Sequence, residues 1–192
     1  MNEHRPPPRS APPGHRALTA KVDAFGDDVL SRRASDMACR AGCCACCQDQ
    51  LTVSDVEADL VREGTAAMTE EARARLRVRV GAASPTSPCL FLEAEGRCAV
   101  YASRPMVCRT QGLPLRYPEG AIPRAAIFDR TLGGEPITWC PLNFTLHAPA
   151  PSDVLDAGRV DRMLALSNRD AGGDPLRRTS LLALAREALV DR

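Results

Sequence analysis

The chain has 192 residues, 44% of them apolar, and a formal net charge of +1, which suits one domain burying roughly two-thirds of its unfolded surface. So balanced a charge gives no field to draw the chain to nucleic acid or to an anionic membrane. Only seven residues are aromatic, so Leu, Val and Ala carry the core, and a cross-linking metal would support such a core more than usual.

Residues 1–17 hold Pro6, Pro7, Pro8, Pro12 and Pro13 and few apolar side chains, which predicts a disordered, partly polyproline-II tail, with a proline-motif ligand as the alternative. This end has basic residues without an apolar h-region, so it does not read as a secretory signal, and a reducing cytosol is expected. No run approaches the roughly 20 apolar residues that span a bilayer. Leu18, Val22, Phe25, Val29 and Met37 then fall near a helical period, predicting a helix over about 18–37 that delivers the chain to Cys39.

Ser54 followed by Glu57 is a capping-box signature, with Gly64 as the helix stop. Thr69 caps the next helix, Glu70 and Glu71 suit its positive end, and Gly81 marks its stop. Arg73, Arg75, Arg77 and Arg79 spread round such a helix, which reads as a solvated helix rather than a nucleic-acid patch. Leu90–Leu92 and Cys98–Tyr101 flank Glu93-Ala94-Glu95-Gly96 and predict a hairpin. Ser103-Arg104-Pro105 reads as the entry to a short helix bearing Cys108 and Arg109. Residues 112–123 read as loop, and Ala125–Phe128 and Ile137–Trp139 as strands around Gly133-Gly134. Two amphipathic helices follow, one from Val154 to Leu166 and one from Leu181 to Leu189, broken at 171–175. The last helix suits core packing better than a partner-binding role. The predicted fold is mainly α with a small β-hairpin and an irregular metal-binding region, a single metal-stapled α+β domain over 18–192.

Five of the nine cysteines lie in nine consecutive residues, Cys39-Arg40-Ala41-Gly42-Cys43-Cys44-Ala45-Cys46-Cys47. Packing does not ask for that density, because a free cysteine packs as a small hydrophobe. Metal ligation does, because several sulfurs must converge on one point. The odd count and the adjacent pairs argue against a disulfide framework. Cys89, Cys98, Cys108 and Cys140 each stand at a turn or an element end. Gathered thiolates repel unless a cation sits among them, and Arg40, Arg97, Arg104 and Arg109 stand ready to offset their charge. The spacings fit zinc or an iron–sulfur cluster, in one centre or two. His4 and His15 fall in the tail, His147 reads as a surface histidine that could add a ligand, and Trp139 as a shield for the site.

Three blocks carry a resemblance: Cys39-x-x-x-Cys43-x-x-Cys46-Cys47; Pro88-Cys89-Leu90-Phe91-Leu92; and Gly96-Arg97-Cys98-Ala99-Val100-Tyr101-x-x-Arg104-Pro105-x-x-Cys108-Arg109. In this order they resemble the YkgJ-type cysteine-cluster family over about residues 36–145. The resemblance implies zinc or iron chelation, with Cys39, Cys43, Cys46, Cys47, Cys89, Cys98, Cys108 and Cys140 as ligands; Cys44 lies outside the pattern. A related cluster occurs in flagellin lysine methylases, which implies a cluster-dependent protein-modifying enzyme as the alternative, although no glycine-rich cofactor loop follows a strand here. Electron transfer, metal handling and a structural site are all compatible with the residues. A protein partner and the oligomeric state are left open.

Overall fold

A computed structural model describes residues 11–47, 51–84, 86–118, 120–121, 130–132 and 135–190. It is the expected small α+β arrangement, with six helices and short strands in two small sheets among the described residues. The Ala125–Phe128 strand and the Gly133-Gly134 turn lie outside these residues, as do His4 and the first ten residues of the expected tail.

Helix α1 runs Pro13–Arg32, starting earlier than the expected Leu18 and ending before Met37. Proline at its N-terminus needs no amide partner and is pre-set in φ, so the Pro12-Pro13 pair opens the helix instead of extending the tail. His15 is thereby drawn inside, 2% exposed, rather than left in solvent.

Strand β1 (Thr52–Val53) leads into helix α2 (Asp55–Ala66). The capping box is present at its start, where Glu57 Oε2 accepts from the Ser54 amide at 3.0 Å and from Ser54 Oγ at 2.7 Å. Gly64 does not stop this helix. A Cβ there would stand 2.7 Å from the Ser103 side chain, so its glycine permits close packing by the 3₁₀ turn Tyr101–Ser103.

Helix α3 (Glu70–Gly81) is capped by Thr69 Oγ1, which accepts from the Ala72 amide. Its arginines are less solvated than expected. Arg73 is buried and donates to the carbonyls of Thr65 and Ala188, closing two helix ends at once. Arg79 donates to the Leu90 carbonyl at 2.7 Å.

The expected hairpin shrinks to the Leu92–Cys98 bridge, closed by Glu93 N–H to Arg97 O at 2.8 Å. Helix α4 (Met106–Thr110) carries Cys108 and Arg109; Pro105 stands just before its first residue, and the Ser103 side chain makes no cap. The stretch expected as loop contains strand β2 (Leu115–Arg116), which pairs antiparallel with β4 (Glu135–Thr138) and parallel with β5 (Leu155–Asp156). Strand β3 (Arg130–Leu132) completes the order β3-β4-β2-β5. Leu155 therefore lies on a strand, and helix α5 begins later, running Ala157–Asp170. Strand β6 (Thr179–Ser180) pairs with β1 before helix α6 (Leu181–Glu187).

Two apolar clusters support the cysteine segments. One joins α2, α3 and α6 through Val61, Leu76 and Leu184 to Phe91 and Val100. The other joins Val29 of α1 to Leu113, Ile137, Trp139 and Phe144.

Candidate metal centre

All nine cysteines are free and none is fully buried. Cys43 and Cys47 close turns of the N-terminal run, their amides donating to the carbonyls of Arg40 and Cys44 at 2.9 Å. Gly42 and Gly96, both at positive φ, press backbone on backbone. A Cβ on Gly96 would meet the Gly42 carbonyl oxygen at 2.6 Å. That contact seats the cysteine run on the hairpin turn.

The thiols fall into two neighbourhoods. Burial pushes the Cys39 thiol above its ordinary pKa; its Asn143 hydrogen bond opposes this, and the nearby Cys43, Cys140 and Cys46 reinforce it. On the other side, burial pushes the Cys108 thiol up to about 12, with Cys89, Cys98 and Cys46 adding to the shift. Burial also raises Cys98, while Val100 and Arg104 oppose that rise. Cys46 is raised by its hydrogen bond to Cys47, then by burial. Its charge is felt at both Cys39 and Cys108.

The two neighbourhoods are built differently. Cys89, Cys98 and Cys108 pack on the apolar cluster around Phe91 and Val100. Cys39 rests in a polar clasp instead. Asn143, fully buried, donates Nδ2–H to Cys39 Sγ at 3.2 Å and to the Gly112 carbonyl at 2.8 Å, and accepts at Oδ1 from the Ala38 amide at 2.8 Å. Next to it the Phe144 amide donates to Asp36 O at 2.6 Å. Phe144 holds φ +52°, the left-handed region that a bulky residue seldom adopts, and its edge-on contact with Trp139 at 6.5 Å helps offset that strain. His147 is exposed and its Nδ1 lies 2.8 Å from Asp36 Oδ1, so it is a surface histidine paired with a buried carboxylate.

Two of the four arginines expected to offset the thiolate charge are engaged elsewhere. Arg104 and Arg109 both donate to Asp23 of α1, and Arg109 also donates to the carbonyls of Arg104 and Ala102. Their work is to tie α4 to α1; only Arg104 also favours a thiolate, at Cys98. Arg97 lines an open cleft of about 610 Å³ with Ala41, Gly42, Arg75 and Glu95, beside the cysteine run.

Soft thiolates in this number suit zinc or an iron–sulfur cluster by donor type. The raised pKa values of Cys39, Cys46, Cys98 and Cys108 favour the protonated thiol at these four, so a cation binding there would have to displace their protons. As they stand, no three Cys, His, Asp or Glu side chains among the described residues converge closely enough to hold an ion. The chain gathers the donors without closing a shell.

Residues 38–122 match the model of the CxxCxxCC family, described as a "Putative zinc- or iron-chelating domain". The cysteine-cluster resemblance holds over this stretch. No curated protein and no solved structure matches the chain. The matched residues include every candidate ligand but Cys140, which with Asn143 belongs to the clasp beyond them. Asn143 and Gly112 gave no signal in the sequence. An isolated asparagine between Leu142 and Phe144 has no spacing to mark it, and its partners are distant in the chain.

Proposed function

We propose that this is a metal-binding protein that holds zinc or an iron–sulfur cluster through Cys39, Cys43, Cys46, Cys47, Cys89, Cys98, Cys108 and Cys140. Its use would be electron transfer, metal handling or a structural staple in the cytosol. One observation carries the reading: residues 38–122, which hold seven of these eight cysteines, match a zinc- or iron-chelating family model, and the Gly42–Gly96 backbone contact seats the cysteine run on the hairpin turn. A bound cation would be held by these thiolates and would replace their protons. The alternative of a cluster-dependent protein-modifying enzyme gains nothing from the cleft by Arg97, which is polar, open to solvent and lacks apolar walls for a nucleoside. Among the described residues no helix is long and apolar enough to cross a membrane.

The test is anaerobic purification with metal and acid-labile sulfide analysis and a visible spectrum. An iron–sulfur cluster gives sulfide and an absorption that bleaches on reduction; zinc gives neither. Cys46→Ser should release metal more completely than Cys44→Ser. A protein that is folded, metal-free and freely alkylated at Cys43 and Cys46 overturns the reading.

A further inference from the structure

We propose that Asn143 is a positioning residue of the metal centre, donating its side-chain N–H to the Cys39 sulfur and so fixing that ligand's direction and electron density. The inference rests on the metal-binding reading and extends it beyond the residues of the family match.

The orientation of the amide follows from its partners. The Ala38 backbone N–H can only donate and the Gly112 carbonyl can only accept, so Oδ1 must face Ala38 and Nδ2 must face Gly112. The second hydrogen on Nδ2 then points to Cys39 Sγ at 3.2 Å. Asn143 is fully buried, so no water competes for that donor. Its backbone is tied as well, its amide donating to the Cys140 carbonyl at 2.9 Å. One residue thus links two candidate ligands, Cys39 through its side chain and Cys140 through its main chain.

The space for this arrangement is provided by Gly112. It holds φ +91°, and a Cβ there would lie 2.6 Å from Cys39 Sγ and 3.2 Å from Asn143 Nδ2. Only glycine leaves the sulfur where the amide can reach it. Two hydrogen bonds to the backbone would suffice for a purely structural asparagine; the third, to sulfur, is the one that a metal would feel. A metal-bound sulfur carries more negative charge than a thiol, so it accepts the N–H more strongly, and the bond in turn withdraws charge from the ligand. Hydrogen bonds to ligand sulfurs are among the determinants of cluster potential.

The experiment loads the full chain with an NMR-active cadmium isotope, a thiolate-seeking stand-in for the native metal. The expected result is a scalar coupling between cadmium and the Asn143 side-chain amide, transmitted through Cys39 Sγ. Asn143→Asp keeps the acceptor for Ala38 and removes the donor, and Asn143→Leu removes both. Each should weaken cadmium retention against a chelator by about 10–100-fold and shift the sulfur-to-metal charge-transfer absorption. Weakened retention without the coupling describes a structural asparagine and overturns the proposal. So does a coupling that both variants leave without effect on affinity or absorption. If both variants fail to fold, the coupling in the unaltered protein decides. A chain that takes up no cadmium overturns the metal reading itself, a separate outcome.

Discussion

The two supports under the sulfurs differ in kind. Asn143 holds Cys39 at its sulfur and Cys140 at its carbonyl by directional bonds, and is itself held by Ala38 and Gly112. Cys89, Cys98 and Cys108 lie on a floor of close-packed side chains around Phe91. The Asn143 bond fixes the direction in which the Cys39 sulfur points, whereas the other three are placed by non-directional packing contacts. A metal centre built across both has one side set in orientation and another set in depth. The cysteine run between them, seated by the Gly42–Gly96 contact, is the part left to adjust.

Removing the floor gives the largest effect. Phe91 is 1% exposed and anchors the hydrophobic cluster beneath the three thiols. Phe91→Ala should cost about 3–5 kcal/mol, as transfer and cavity terms add. In a denaturant series with pulsed alkylation, Cys89, Cys98 and Cys108 should label before Cys39 and Cys140. Simultaneous labelling would show that clasp and floor unfold as one body, and the distinction between them would fall.

The joint between α2 and α4, on the side of the floor, comes next. Glu57 is 2% exposed and does more than cap α2, because its Oε1 accepts from the Met106 amide at 2.8 Å at the start of α4. It therefore fixes the helix that carries Cys108 against the helix that floors it. Glu57→Ala strands the buried amides of Ser54 and Met106, and a loss of about 3 kcal/mol is expected from thermal or denaturant unfolding. Glu57→Gln, which keeps acceptor capacity, should recover part of it. Equal losses in the two variants would mean that the bond to Met106 contributes nothing.

The reach of the sequence is marked by the same residues. Ser54 with Glu57, Thr69, the amphipathic run within Val154 to Leu166 (though not its start) and the short helix bearing Cys108 were legible because each is decided within a few residues by caps and periodicity. Gly64, Gly112, Asn143, His15 and strand β2 were not. Most of these are defined by a partner far along the chain: Ser103 for Gly64, Cys39 for Gly112 and Asn143, and Leu155 for β2. For His15, two prolines that suit a disordered tail suit a helix start equally well. The cysteines were conspicuous, but their division into two neighbourhoods depends on how α4 and the 139–147 segment fold back, which spacing does not encode.

The seat of the run gives a smaller effect. Gly96 holds φ +73°, and a Cβ would meet Gly42 O at 2.6 Å. Gly96→Ala should cost about 2 kcal/mol, mostly from the left-handed backbone. A metal titration should then show weakened binding at both sulfur groups, because the run that serves both has shifted. Weakening confined to the side of Cys98 would show that the clasp alone positions the run.

The smallest expected effect is a slope in pH. His15 is 2% exposed, and its Nδ1 finds no hydrogen-bond partner among the described residues. Burial lowers its pKa from the usual 6.5; Glu57 opposes that shift and Arg109 reinforces it. The unfolded chain therefore takes up a proton at a higher pH than the folded chain does. Stability from the neutral imidazole is complete above about 6.5 and is lost as pH falls from there to the lowered folded value. Asp153 behaves likewise at more acidic pH. Burial alone would raise its pKa, but Arg32, the Ala150 amide and Arg33 hold it below 3.8, so its contribution disappears only as pH falls below that value. The two windows do not overlap at their upper ends, so His15→Leu should flatten the unfolding profile just below pH 6.5 and leave the acid limb in place. An unchanged profile in that window would mean that the folded His15 takes up its proton at the ordinary pH. Glu57, which ties α2 to α4, would then outweigh burial at this site.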